Sequence, residues 1–329
     1  MNDGPGTTNR PLTQKENLLR VLRGEKSAWV PETGSACDFR LCSAVLDRAP
    51  GNEDGYDSYG VHWTWDPRTG QPTPTPGRKR LTDVTKWRES GILLDLDRVD
   101  WEAAARRDLG GLDRENKAFL MMAPFGLFER LHCLMGFEDA LCAFYEEPEE
   151  AKALVDALAD YRIAILDRCL PVYKPDLVLY FDDWGNEGSL FFSPELFERF
   201  LRPATQRIVD CIHRYGVLAV LHSDGRIQDL IPSVVAMGWD AWHPCQPCND
   251  VRGLKDRFQD RLGFVYGLDA QKVTDRDGVT EDEIRAEVRR AIDRLAPDGR
   301  FAISPISVKS ERWKLAAISE ETAAYGRGK

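Results

Sequence analysis

From residue 118 onward the chain alternates short apolar runs with amphipathic stretches, and this alternation restricts it to a parallel sheet covered by helices. The apolar runs are AFLMMAP (118–124), DLVLYFD (176–182), GVLAVLH (216–222), WDAWH (239–243), LGFVYG (262–267) and RFAISP (300–305). Helical spacing fills the intervals, over about 137–169, 194–215, 227–237, 251–260, 280–295 and 311–325. AWVPETG (28–34) adds a strand near the front, and a weak one around Val61 to Trp65 brings the count to eight. Repeated βα units of this number and length predict a (β/α)8 TIM barrel spanning residues 1–329 as one domain. No G-x-G-x-x-G follows a strand, so an open dinucleotide-binding sheet loses its main support. The Gly/Pro-rich passage from Asp66 to Leu81 reads as an excursion within that domain. Its turns punctuate Trp63 and Trp65, so the segment through Trp87, within residues 1–90, is expected to form an N-terminal extension, a flap over the barrel mouth.

Charge narrows the partners. With 44 basic against 54 acidic side chains the formal charge is −10, which argues against nonspecific nucleic-acid binding and against an anionic membrane surface. The first residues lack the apolar core of a signal peptide, and no apolar run approaches the roughly 20 residues that cross a bilayer. A cytoplasmic protein handling a small molecule is the expectation, with its eight cysteines reduced and packed as small apolar groups.

In a barrel, the residues that close the strands point toward one mouth. Here they are Glu32, then Glu129 and Arg130, Asp182 and Asp183, His222 and Asp224, His243 and Gln246, Asp269, and Ser304 with Ser307. Asp182, His222, His243 and Asp269 are expected to converge at one end. A lone polar residue after a strand, such as Ser304 or Asp250, reads first as a helix cap. The adjacent carboxylates in FDDWG exceed what one cap requires, and repulsion with burial would raise one pKa so that one group donates a proton. In LHSDGRI (221–227) the strand delivers His222, and Gly225 permits the turn into the next helix. Asp224 then has two readings: a cap for the helix beginning near Arg226, or a partner of His222.

The segment DDWGNEGSLFFSPELFERFLRPATQRIVDCIHRYG followed by LHSDGRI resembles the uroporphyrinogen decarboxylase superfamily. That superfamily carries, in this order, an acid, a Ser-Pro-Glu helix start, a Phe-x-x-x-x-Arg-Pro segment and a glycine-bearing H-x-[CD]-G turn. DSYGVHWTWDP, GLFERLHCLMGFEDAL and LGFVYGLD extend the likeness over most of residues 55–270. The resemblance implies a (β/α)8 barrel and one of two chemistries. Decarboxylation of a tetrapyrrole uses an arginine-rich R-Q-A-G-R-Y after the first strand. This chain has VPETGSACDFRLC there, with Arg40 its one basic residue, so too little positive charge grips a polycarboxylate. The other chemistry is methyl transfer between a small methyl donor or acceptor and a corrinoid, in zinc-dependent members. The Asp-x-x-Gly-Val-x-Trp and LTDVTKW segments look more like the ether-demethylating members.

Methyl transfer from an aryl methyl ether or methylamine to a corrinoid protein is therefore the expected function. Its alternatives are a tetrapyrrole decarboxylase and a noncatalytic small-molecule-binding member. Thiol-methylating relatives hold zinc with H-x-C and a distant cysteine. Here Asp224 and a serine stand in those places, so the zinc would rest on His222 and carboxylates, with Asp224 the tentative second ligand. HPCQPC offers His243, Cys245 and Cys248 as a rival set, but Pro244 and Pro247 restrict that loop and no second Cys/His pair lies near. An ether or amine releases its methyl group once its heteroatom is coordinated or protonated. Asp182 or Asp183 would supply the proton, His222 with Asp224 would hold zinc or polarise the heteroatom, and cobalamin on a corrinoid partner would accept the methyl. Trp63, Trp65 and Trp184 would wall the substrate, with Glu129, Gln246 and Asp269 lining the remainder.

Overall fold

The computed structural model describes residues 11–68, 70–305 and 311–328. Its main sheet has seven parallel strands in the order β1 (Cys37–Leu41), β5 (Ala118–Ala123), β6 (Leu177–Phe181), β7 (Leu218–His222), β8 (Ala241–His243), β9 (Gly263–Tyr266) and β10 (Phe301–Ile303). Ser307 lies outside the described residues. The expected strand at 28–34 takes another form. Glu32 makes a single parallel bridge to Ile303, whose N–H donates to the Pro31 carbonyl at 3.0 Å. The helix α2 (Thr33–Ala36) follows at once, and β1 then pairs with β5 on the opposite edge. One short stretch of chain thus touches both edges, and the sheet curls into a TIM-barrel-like form. The Glu32 carboxylate is occupied in this junction. It caps α2 through the Gly34 and Ser35 amides and accepts from the Ser319 hydroxyl at 2.9 Å, so it is not free to act in the mouth.

Strand alternation sorts the core into two layers. Leu120, Leu177, Leu179, Val220, Ala241, Val265 and Ala302 share the inner layer with Leu18, Leu19 and Leu22 of α1 (Gln14–Leu22), a helix started by the Thr13–Glu16 capping box. Their neighbours Phe119, Met121, Val178, Tyr180, Ala219, Leu221, Trp242 and Phe264 face outward into the larger layer beneath the helices. The crossovers include α4 (Leu127–Met135), α5 (Phe137–Glu146), α6 (Pro148–Tyr173), α8 (Arg202–Arg214), α10 (Val251–Phe258) and α11 (Glu281–Leu295), and α12 (Arg312–Tyr325) follows β10.

Val61 to Trp65, counted above toward the eight, belongs to a separate antiparallel sheet of β2 (Gly55–Tyr56), β3 (His62–Asp66) and β4 (Gln71–Pro74). The Gly/Pro turns favour such a hairpin over a βα unit. Buried charge fastens this excursion. Arg130 binds Asp57 at 2.7 Å and Asp47 at 3.1 Å, while Arg162 binds Asp47 at 2.8 Å and the Pro124 and Phe125 carbonyls at 3.0 and 3.2 Å. Trp63 is buried in the same knot, donating its indole N–H to Asp57 at 3.0 Å and packing against Phe125. Further along, the Arg80 and Leu81 amides both donate to the Leu134 carbonyl, and the Trp87 indole donates to Glu150. These contacts seat the excursion against α4 and α6. Trp65 stands half-buried in β3.

Candidate functional site

Extending the inner-face parity past the strand ends selects the site. Residues 177, 179, 181 and 183 share a face, as do 218, 220 and 222, then 241 and 243, then 302 and 304. Asp183, His222, His243 and Ser304 therefore rise from the inner layer. Asp182, one residue earlier, must face outward. Its oxygens accept from the amides of Glu129 at 2.9 Å and Phe128 at 3.3 Å, at the positive N-terminus of α4. Burial pushes its carboxyl up to about 7, opposed by those amides. Trp184, on the same outward parity, is fully buried against Phe197 and offers no exposed wall.

Two imidazoles form the floor. His222 stacks on Phe181 with ring centroids 4.1 Å apart, and its Nδ1 lies 2.9 Å from Nδ1 of His243. Nε2 of His243 lies 3.0 Å from the Ser304 hydroxyl, so Ser304 holds a histidine where a helix cap was expected. Burial, then the His222 charge, pushes the His243 pKa well below the usual histidine range, leaving a neutral ring. Facing Nδ1 atoms require one N–H and one lone pair. If His222 donates, its Nε2 presents a lone pair to the mouth; if His243 donates, Nε2 of His222 carries the proton.

That Nε2 faces two carboxylates, with Asp224 Oδ2 at 3.7 Å and Asp183 Oδ1 at 4.0 Å. Asp183 also accepts from the Asp224 amide at 2.8 Å, which fixes the two acids side by side. Burial and then the Asp224 charge raise the Asp183 carboxyl to about 6, with His222 opposing. Glu129 stands behind them, pushed well up by burial first and then by Asp183 and Asp182, with Oε2 lacking a hydrogen-bond partner. Ligand atoms of Asp183, His222 and Asp224 all lie within 4.8 Å of one another, the one such group among the described residues. Cys245 is fully buried with its thiol on the Trp242 carbonyl, and His243 is committed to His222 and Ser304. His243, Cys245 and Cys248 are not brought together as a ligand set.

Beside Asp224 opens a cleft of about 220 Å³, bounded by the strand-end loops at Gly185–Glu187, Gly225, Gln246–Cys248 and Leu268–Lys272. Asp269 lies on its wall and also caps the turn after β9 through the Lys272 amide. Gly225 has φ +82° and sits against the Gly185 carbonyl, where a side chain would collide. Its amide donates to the Gln246 side chain at 2.6 Å. Asp224 is not the cap of the following helix. Asn249 performs that task from the next loop, accepting from the Ile227 and Gln228 amides at 3.0 and 2.9 Å and donating to the Gly225 carbonyl at 2.9 Å. Asn249 was missed in the sequence, where only its place two residues before α10 marked it. Asn249→Ala should cost about 2 kcal/mol by leaving these buried groups unpaired, read as a lowered denaturant midpoint at constant slope.

A family model described as uroporphyrinogen decarboxylase (URO-D) matches residues 118–305, from the start of β5 to just past β10. The chain belongs to the uroporphyrinogen decarboxylase family. The match takes in Asp183, His222, Asp224, His243 and Ser304 and leaves the antiparallel excursion outside it. No curated protein sequence matches the chain. Among solved structures, a methyltransferase from Methanosarcina mazei superposes with a TM-score of 0.67 at 14% identity, over 96% of this chain and 99% of that one. At that identity the likeness is one of fold. No helix among the described residues is long and apolar enough to cross a membrane.

Proposed function

We propose that this family member is a methyltransferase that moves a methyl group from a small donor, of the aryl methyl ether or methylamine type, to a corrinoid protein. The convergence of Asp183, His222 and Asp224 beside an open cleft carries this reading. A neutral imidazole with two carboxylates is an open catalytic donor set, and the lone-pair tautomer of His222 aims Nε2 between the acids. Without a cation or proton there, that lone pair would face two negative charges. The residues fit a divalent ion such as zinc. Bound there, it would act as a Lewis acid on the donor's heteroatom.

The chain's own groups supply the remainder. His243 and Ser304 orient the His222 ring, as partners of a metal-binding histidine do. Asp183 and Asp224, fixed side by side by the Asp224 amide, would hold the ion with His222, and as a ligand Asp183 would be deprotonated. Asp182 holds α4 and, through it, Glu129. Gln246 fixes the Gly225 turn that shapes the cleft. The corrinoid of a partner protein accepts the methyl group. A tetrapyrrole decarboxylase is disfavoured because Arg40 faces away from the inner layer and is spent on the Phe39, Asp108 and Gly110 carbonyls.

Metal analysis of the purified chain, paired with a screen of methyl ethers and methylamines against cob(I)alamin, tests the proposal. A stoichiometric metal and methylation of cobalt by one donor class are expected; turnover of uroporphyrinogen by metal-free protein would replace this reading. Asp224→Asn should keep the fold and lower methyl transfer about 10- to 100-fold. Full activity in that variant would remove Asp224 from the site.

A further inference from the structure

The cleft beside Asp224 is held from outside the barrel. Its Leu268–Lys272 wall leaves β9 under two constraints. Gly267 lies against Pro244, where an added Cβ would come within 2.6 Å of that side chain, and Leu268 is a buried non-glycine residue in the left-handed region at φ +54°. Such a backbone persists only where its surroundings overdetermine it. Asp269 is the point of attachment. Its carboxylate accepts from the Lys272 amide at 3.0 Å, and its own N–H donates to Glu287 Oε1 at 3.1 Å. Glu287 belongs to α11 and is buried. Arg290, three residues on, grips both its oxygens at 2.7 Å, so the acceptor is charged and fixed in direction. The docking of α11 does not call for this carboxylate, because Ile284, Val288, Ala291, Ile292 and Leu295 already bury the helix's apolar seam. Withdrawing a carboxylate from water costs free energy. Among the described residues, the hydrogen bond that Glu287 makes outside its own helix is the one to the Asp269 amide.

We infer that Glu287 is a positioning residue for the cleft: from α11 it holds the Asp269 amide and keeps the Leu268–Lys272 wall where a bound donor meets it. The inference rests on the reading of this cleft as the donor's site. Glu287 does not itself line the cleft, so its loss should change how well the donor is held and leave the metal ligands and the chemical step as they were.

Amide exchange on the folded full-length chain and donor kinetics test it together. In Glu287→Ala the amides of residues 268–274 should exchange about 10-fold faster, the scale of one lost hydrogen bond to a charged group, while those of β6 and β7 keep their rates. For the donor that methylates cobalt, KM should rise about 10-fold with kcat and metal content unchanged. Glu287→Gln retains an acceptor and should return both values to within about 3-fold of wild type. Should Glu287→Ala not fold, Arg290→Ala, at an exposed position, releases the carboxylate and should move both values in the same direction. Wall exchange at the wild-type rate in the alanine variant, or a fall in kcat with loss of metal, would overturn the inference. So would a lowered thermal midpoint with KM unchanged. If no ether or amine is turned over, the methyl-transfer reading fails by itself, and the exchange rates still decide the role of Glu287.

Discussion

Replacing Arg130 with alanine is expected to lower unfolding free energy by about 3–5 kcal/mol, the usual penalty for stripping one partner from a buried ion pair. Arg130 is 2% exposed and its guanidinium lies 3.8 Å over the Tyr59 ring. Its loss strands Asp57, a buried carboxylate that also orders the loop by accepting from the Tyr59 and Val61 amides and the Trp63 indole. The second anchor, Asp47, would keep Arg162. The excursion should therefore loosen before the sheet does, appearing as faster amide exchange over residues 55–66 together with the lower denaturant midpoint. A loss within about 0.5 kcal/mol, as at an ordinary surface site, would show that packing rather than charge seats this segment.

His222→Ala is expected to remove bound metal and to lower methyl transfer by more than about 100-fold, beyond what a change in a supporting partner costs. It should also cost stability. A residue at a barrel mouth can stand clear of the packed core, but His222 is 8% exposed, stacked on Phe181 and paired with His243. Truncation leaves a buried imidazole nitrogen of His243 without its partner, a penalty of about 1–3 kcal/mol. Measuring metal content, activity and thermal midpoint on one preparation separates the effects. Lost metal with a modest fall in midpoint supports the site, whereas a collapsed midpoint with retained specific activity makes His222 structural.

These two residues also mark how much could be read from the chain. His222 was legible because an imidazole directly after LAVL at a strand-to-helix seam has few purely structural reasons to be there. Asp183 was legible only as half of a pair. Telling it from Asp182 requires knowing which face of β6 is inner, and one residue of register reverses the answer. Glu129, Gln246 and Asp269 were visible as strand-end polar residues, yet the tasks of Gln246 and Asp269 in holding turns depend on loops folded against one another.

The sequence by itself determined the parallel βα architecture from residue 118 onward, because apolar period and length there leave little choice. It also determined which strand ends carry acids and imidazoles, since those residues interrupt otherwise apolar runs. Tertiary structure alone decided that the stretch from Pro31 to Leu41 touches both sheet edges, Glu32 on β10 and β1 on β5, and that Val61 to Trp65 form their own hairpin. It also placed His222 against His243 and let Asn249 cap a helix from the following loop. Each of these rests on contacts between segments far apart in the chain, formed by closure of the sheet, and local propensity carries no record of which distant group will complete a hydrogen bond.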